Sequence, residues 1–150
     1  MLIGVKIFNE EKDWKFDWYE YEKFWEDLEN NISSIKHVYM CGGEPLLIER
    51  HYYFLEKCVK SGNSKNIILE YDSNITIVKD EVLDFWKQFK EVQMRASIDD
   101  YGDQNDYIRY PSNFKIIQEN LKKLYDANIK LGLSLTISIF NSFTFINLIN

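Results

Sequence analysis

Residues 35–59 read IKHVYMCGGEPLLIERHYYFLEKCV, and the order of residue types in this stretch decides the fold. "IKHVYM" (35–40) is a short run rich in β-branched and aromatic residues, which predicts a strand. Two glycines, an acid and a proline follow at 42–45. "LLIERHYYFLEKCVKSG" (46–62) then changes to a helical period, with Leu47, Phe54, Leu55 and Cys58 on the apolar face and Gly62 near the stop. Glycines permit positive φ and let the backbone approach a ligand closely. Pro45 suits the first helical turn, where its missing N–H costs nothing. Glu44 places a carboxylate at the same turn, which attracts a cation such as an ammonium group and repels phosphate. No Rossmann or P-loop glycine fingerprint is present, so a phosphate-binding turn is disfavoured. The same four residues also suit a plain tight turn in which Glu44 complements the helix dipole.

Working outward, strand and helix patterns keep alternating. "LIGVKIF" (2–8) predicts a short strand, and "FDWYEYEKFWEDLEN" (16–30) a helix with Tyr21, Phe24, Trp25 and Leu28 at helical spacing. "NIILEYD" (66–72) and "EVQMRASID" (91–99) read as strands, separated by a helix over "KDEVLDFWKQFK" (79–90). After a polar loop, "SNFKIIQENLKKLYDAN" (112–128) is a helix capped by Ser112 or Asn113, and "IKLGLSLTISIF" (129–140) is the last strand. Crossovers long enough for one helix each imply a mostly parallel sheet, hence the α/β class. Four parallel strands near 35–40, 66–72, 92–98 and 130–138 are expected side by side in chain order, with helices on one outer face. Ligands of such sheets gather beyond the carboxyl ends of the strands. There the sequence places Gly42 to Pro45, Ser73 and Asn74, Ser97, Asp99 and Asp100, and Asn141.

A chain of 150 residues fits one domain, and 45% hydrophobic with 28% charged residues is ordinary for a soluble protein. A net charge of -6 and a pI near 5.0 leave no basic stripe for a phosphate backbone, so neither nucleic acid nor membrane is an expected partner. The aromatics are interleaved mainly with acids, as in "DWYEYEKFWEDLEN", which suits a packed helix face better than a stacking groove. Cys41 and Cys58 form no CxxC pair and no apolar leader opens the chain, which points to a cytoplasmic protein with reduced thiols. Neither those cysteines nor His37 and His51 complete a metal-ligand pattern, so no metal site is expected in this chain.

The strings "VYMCGGEPLL", "LEYDSNIT", "FKEVQMRASIDDYGDQNDYIRYPSNF" and "NLKKLYDANIKLGLSLTISIFN" occur in that order. Together they resemble the core of a radical S-adenosylmethionine (radical SAM) enzyme, of the branch carrying twitch or SPASM-type extensions. The resemblance implies a segment of a partial (β/α)6 TIM-like barrel. It also implies that Gly42, Gly43 and Glu44 hold the amino group of S-adenosylmethionine, with Pro45 fixing the turn. By the same resemblance Ser97 contacts the cofactor's carboxylate or ribose, and Asn74, Asp99 and Arg109 match recurring polar residues of the site. Each also has a plain structural reading: Ser97 as a strand cap, Asp99 and Asp100 as a turn, Arg109 as a surface partner of Asp106.

The family's CxxxCxxC motif, which ligates a [4Fe–4S] cluster, is missing. The expectation is therefore a single truncated core domain over 1–150, with a connector and helix at 1–34, a β/α core at 35–141 and a tail at 142–150. The complete form would cleave S-adenosylmethionine reductively to a 5′-deoxyadenosyl radical for hydrogen abstraction from a small-molecule or peptide substrate. Its cluster would come from missing flanking segments or a partner chain. A non-catalytic remnant or binding module that keeps the fold, and an unrelated α/β enzyme using Glu44 and Asp99 as acid and base, are the alternatives. The catalytic residues are not identified by the sequence.

Overall fold

The computed structural model describes residues 21–149; the expected strand at 2–8 and the start of the helix at 16–30 lie outside the described residues. The elements run α1 (Glu22–Asn30), β1 (His37–Met40), α2 (Glu49–Lys60), β2 (Ile68–Ser73), α3 (Asp80–Trp86), β3 (Glu91–Ser97), α4 (Asp103–Ile108), α5 (Phe114–Asp126), β4 (Lys130–Ser134) and α6 (Ile146–Ile149). The four strands form one sheet in chain order, and every neighbouring pair is parallel. One row of the register crosses it from Met40 through Tyr71 and Met94 to Leu131. Chain-order parallel pairing is what the alternation predicts, and it is the sheet of a TIM-like barrel segment.

Period-two burial separates the faces. On β2 and β3, Leu69, Tyr71, Ser73, Val92, Met94 and Ala96 are buried, whereas Glu70, Asp72, Gln93, Arg95 and Ser97 between them stay half-exposed. The buried side joins Phe54, Leu55 and Cys58 of α2, Val82 and Trp86 of α3, and Ile117 and Leu124 of α5 in one core. Each such aliphatic or aromatic side chain stabilises the fold by about 1.5–3 kcal/mol.

Several boundaries differ from the sequence reading. The helix expected from residue 46 starts at Glu49, because Pro45–Leu47 forms a 3-10 turn and Ile48 is extended. Leu47 is consequently exposed, and His51 and Tyr52 enter the core instead. The last strand ends at Ser134 rather than near 140: Thr136 N–H leaves the ladder for Asp99 Oδ1 (2.8 Å), and Ser138 N–H is taken by Asn141 Oδ1 (2.7 Å). Helix α4 forms in what read as polar loop, where no apolar period announces it.

A buried relay joins three elements of the core. Trp86 Nε1 donates to Tyr71 Oη (3.0 Å), which directs the Tyr71 proton to His51 Nε2 (2.9 Å). His51 then carries its own proton on Nδ1, which has no partner among the described residues. Burial holds the ring neutral, lowering its pKa to about 4. The unfolded chain, with an ordinary histidine pKa, takes up this proton first on acidification. Stability from this residue is therefore full above pH 6.5 and declines as the pH falls towards 4, by roughly 3 kcal/mol in total. Denaturant titrations at pH 7 and pH 4.5 should show a smaller pH-dependent loss in His51→Gln than in the parent chain; equal losses would contradict the relay.

Asn113 opens α5, its Oδ1 accepting from the N–H groups of Lys115 (3.1 Å) and Ile116 (3.3 Å). Asn113→Ala should lower stability by about 1 kcal/mol in the same assay, and Asn113→Asp should retain most of it.

Candidate functional site

The turn after β1 is shaped by two left-handed glycines, Gly42 at φ 84° and Gly43 at φ 58°. Nothing lies within 4 Å of a Cβ built on either, so conformation rather than crowding requires glycine there. The turn delivers Glu44 to the end of β2. Glu44 Oε1 accepts from Ser73 Oγ (2.7 Å) and Leu46 N–H (3.3 Å), and Oε2 accepts from Asn74 N–H (2.8 Å). Three protein donors leave room on Oε2 for one further donor.

Beyond β2 the backbone is strained. Ile75, a buried β-branched residue, sits at φ 48°, a conformation that costs on the order of 1–3 kcal/mol. It is held from both sides: its N–H by Ser73 Oγ (2.9 Å) and its carbonyl by Asn120 Nδ2 of α5 (2.8 Å). Asn74 Oδ1 meanwhile accepts from Thr76 N–H and Oγ1 at 3.1 and 2.8 Å. The side chains of Glu44, Ser73 and Asn120 together fix where Asn74 stands.

At the end of β3, Asp99 is buried and forms a node. Its Oδ1 takes Thr136 N–H, its N–H goes to Asn105 Oδ1 (3.1 Å), and its carbonyl accepts Asn141 Nδ2 (2.7 Å). Arg109 Nε lies 2.8 Å from Asp99 Oδ2 with its N–H aimed off the oxygen, an ion pair rather than a hydrogen bond. Arg109 thus turns to Asp99 and not to Asp106, which binds Ser112 Oγ and Phe114 N–H (2.9 and 3.0 Å). The terminal nitrogens of Arg109 have no acceptor among the described residues.

Asn74, Ser97 and Arg109 line one pocket of about 410 Å³, with Thr76, Tyr110, Pro111, Ser112 and Ile117 completing its wall. A volume of that order suits a small-molecule ligand. Arg109 is the charged residue of this lining, its four Nη hydrogens suited to an anionic group such as a carboxylate. Glu44 adjoins the pocket through Asn74, and Asp99 stands behind Arg109. Gly42 and Pro45 instead face a second, apolar pocket of about 260 Å³ between α1, β1 and α2, and Gly43 is exposed. Thr76, Tyr110 and Ser112 escape a reading by strand ends because loops carry them.

The iron–sulfur cluster that the motif resemblance brings with it meets no ligand set among the described residues. Cys41 is exposed beside the glycine turn, Cys58 is buried in α2 with its thiol pushed up to about 12 by burial, and no trio of His, Cys, Asp or Glu among the described residues could hold a metal ion. No described helix is long and apolar enough to cross a membrane.

No curated protein matches the chain. A family model does: that of the Radical SAM superfamily aligns with residues 4–145, which includes every described strand and the whole pocket lining. With a parallel chain-ordered sheet and a polar pocket at its carboxyl ends, the chain belongs to the radical SAM superfamily.

Proposed function

We propose that this chain binds S-adenosylmethionine at the carboxyl ends of β1 to β3, as the cofactor-holding part of a radical SAM enzyme of the twitch or SPASM-like branch. The observation that carries the reading is that Asn74, Ser97 and Arg109, from three separate loops and strands, line one pocket beside the Glu44 turn. In this arrangement Glu44 Oε2 accepts from the cofactor's ammonium group, and Ser97 Oγ and the Arg109 Nη groups donate to its carboxylate or ribose. Asp99 keeps the guanidinium turned towards the pocket. When bound next to a reduced cluster, S-adenosylmethionine supplies a 5′-deoxyadenosyl radical for hydrogen abstraction.

Binding and cleavage are separable here. With two cysteines at unsuitable places, this chain holds the cofactor without the means to reduce it, and cluster ligands would have to come from a flanking segment or partner chain. That same observation favours a second reading, a module that binds without reacting. Anaerobic reconstitution with iron and sulfide, followed by desalting, should leave no stoichiometric iron on the purified chain; one cluster per chain would refute the ligand argument.

Without iron to chelate the ligand, only hydrogen bonds of about 0.5–1.5 kcal/mol, or about 1.5–3 where charged, hold it, so the dissociation constant should be roughly millimolar. In amide-shift titrations with S-adenosylmethionine, Ser97→Ala should weaken binding about 2- to 10-fold. Arg109→Lys, which keeps the charge and loses the fork, should also weaken it. Asp84→Ala should not, since the Asp84 side chain is exposed and pairs with Lys87, away from the pocket. Shifts that map away from Asn74, Ser97 and Arg109, or variants that bind like the parent, would remove the site assignment.

A further inference from the structure

The glycine turn borders two cavities. Glu44 reaches from it to Ser73 and Asn74, whereas Gly42 and Pro45 line an apolar cavity of about 260 Å³ that the cofactor reading leaves unused. The walls of this second cavity are Phe24 and Leu28 of α1, Val38 and Met40 of β1, Ile48 at the entrance to α2 and Phe54 within it. No Lys, Arg, Asp or Glu lines it among the described residues. Tyr39 and Cys41, both exposed, also border it, and the Tyr39 hydroxyl is already committed to Asp72 and Arg95.

His51 is the exception in this apolar lining. The residue is 4% exposed, and its Nδ1 has no hydrogen-bond partner among the described residues. The core relay fixes what that atom offers. Trp86 Nε1 donates to Tyr71 Oη, so the Tyr71 proton goes to His51 Nε2 and the histidine keeps its own proton on Nδ1. The two nitrogens of an imidazole ring point to nearly opposite sides, so with Nε2 on Tyr71 the Nδ1–H turns away from β2. Neither Tyr71 nor Trp86 lines the cavity, and the His51 ring stands between them and it. The unpaired N–H therefore points to the cavity side. A buried donor left without an acceptor destabilises the fold. Water relieves it poorly, because an enclosed water needs about two to four polar partners and the side chains of this wall offer one.

We propose that this cavity is a second binding site, and that it takes a compact, uncharged, largely apolar molecule whose one hydrogen-bond acceptor, a ketone or ester carbonyl, meets the His51 Nδ1–H. Size sets the first limit. A cavity of about 150 Å³ lined by aliphatic and aromatic side chains takes benzene, so about 260 Å³ suits a substituted ring or chain of about ten non-hydrogen atoms. Charge sets the second. Burial keeps the His51 ring neutral and no Lys or Arg lines the described walls, so an entering carboxylate or phosphate loses its hydration without meeting a counter-charge. Hydrogen bonding sets the third. An acceptor completes the chain from Trp86 through Tyr71 to His51, whereas a hydrocarbon of the same shape leaves Nδ1 unpaired. The proposal is independent of the cofactor reading, which concerns the pocket lined by Asn74, Ser97 and Arg109.

The test uses the full chain labelled with nitrogen-15, whose two histidines, His37 and His51, give ring-nitrogen signals in long-range proton–nitrogen spectra. Acetophenone, ethylbenzene and sodium benzoate serve as probes of similar size. Before any addition, the His51 ring should show the tautomer protonated on Nδ1. Acetophenone should shift the His51 Nδ1 signal saturably, leave His37 in place, and move the backbone amides of Val38, Met40 and Phe54 rather than those of Asn74, Ser97 and Arg109. Ethylbenzene should move the same amides with about 2- to 10-fold weaker affinity, and benzoate should give no saturable shift. His51→Phe, which removes the donor, should bring acetophenone down to the affinity of ethylbenzene; if that variant unfolds, the comparison of the two probes on the parent chain decides alone. A ring protonated on Nε2, no saturable shift at His51, equal affinity for acetophenone and ethylbenzene, saturable benzoate binding, or shifts that map to Asn74, Ser97 and Arg109 would each overturn the proposal.

Discussion

The Glu44 carboxylate is the contact on which the geometry of the strand ends depends. It ties the glycine turn after β1 to Ser73 and Asn74 at the end of β2, through hydrogen bonds at 2.7 and 2.8 Å. Hydrogen bonds to a charged acceptor contribute about 1.5–3 kcal/mol each. That is enough to offset the left-handed backbone at Ile75 and to restrain a turn that two glycines would otherwise leave loose. Ser73 is the hinge of this arrangement, since one hydroxyl donates to Glu44 and accepts from Ile75 N–H. Remove the carboxylate and the Ser73 hydroxyl loses its acceptor, Ile75 loses part of its restraint, and Asn74 is free to leave the pocket wall.

The sheet then divides its labour by parity. Even-numbered positions of β3 carry Val92, Met94 and Ala96 into the core, and odd-numbered ones carry Gln93, Arg95 and Ser97 to the other side. A closed barrel normally fills its interior with branched apolar layers. Here Glu70 and Asp72 of β2 and Arg95 of β3 are ionisable and paired with one another. A face of that kind cannot be covered by apolar side chains without stranding Asp72, Glu70 and Arg95, so it stays open to water or to a polar molecule.

Much of this was legible in the sequence because the relevant signals are local. The glycine pair, the proline and the change from strand to helical period at 40–49 placed a turn at a strand end, and the alternation of elements set the chain-ordered parallel sheet. The side-chain pairings were not legible, because they join distant residues by geometry alone. Nothing near Arg109 in sequence says that Asp99 outcompetes Asp106, which is spent instead on Ser112 and Phe114 N–H. Arg95 was equally hidden: in "EVQMRASID" it reads as one polar residue of an alternating strand, and its importance comes from Asp72, Glu70 and Tyr39 on neighbouring strands. His51 was missed for a different reason. Its partner is Tyr71 inside the core, and a histidine on an amphipathic helix does not reveal which way it faces.

In the function proposed above, the chain separates two tasks that an active radical enzyme must combine. Grip on S-adenosylmethionine from neutral and charged hydrogen bonds alone, a few at about 1–3 kcal/mol each, is diminished by the entropy of ordering the ligand and leaves only weak association. Orientation is another matter, since it depends on how firmly the donors are held rather than on their summed strength. Arg109 is pinned by Asp99, Asp99 by Thr136, Asn105 and Asn141, and Asn74 by Glu44 and Thr76. Arg109 and Asn74 are thus each fixed by a partner, Asp99 and Glu44, that does not itself line the pocket. A site that binds weakly but is held this firmly is suited to aligning a ligand whose affinity comes from a metal supplied by another segment or chain.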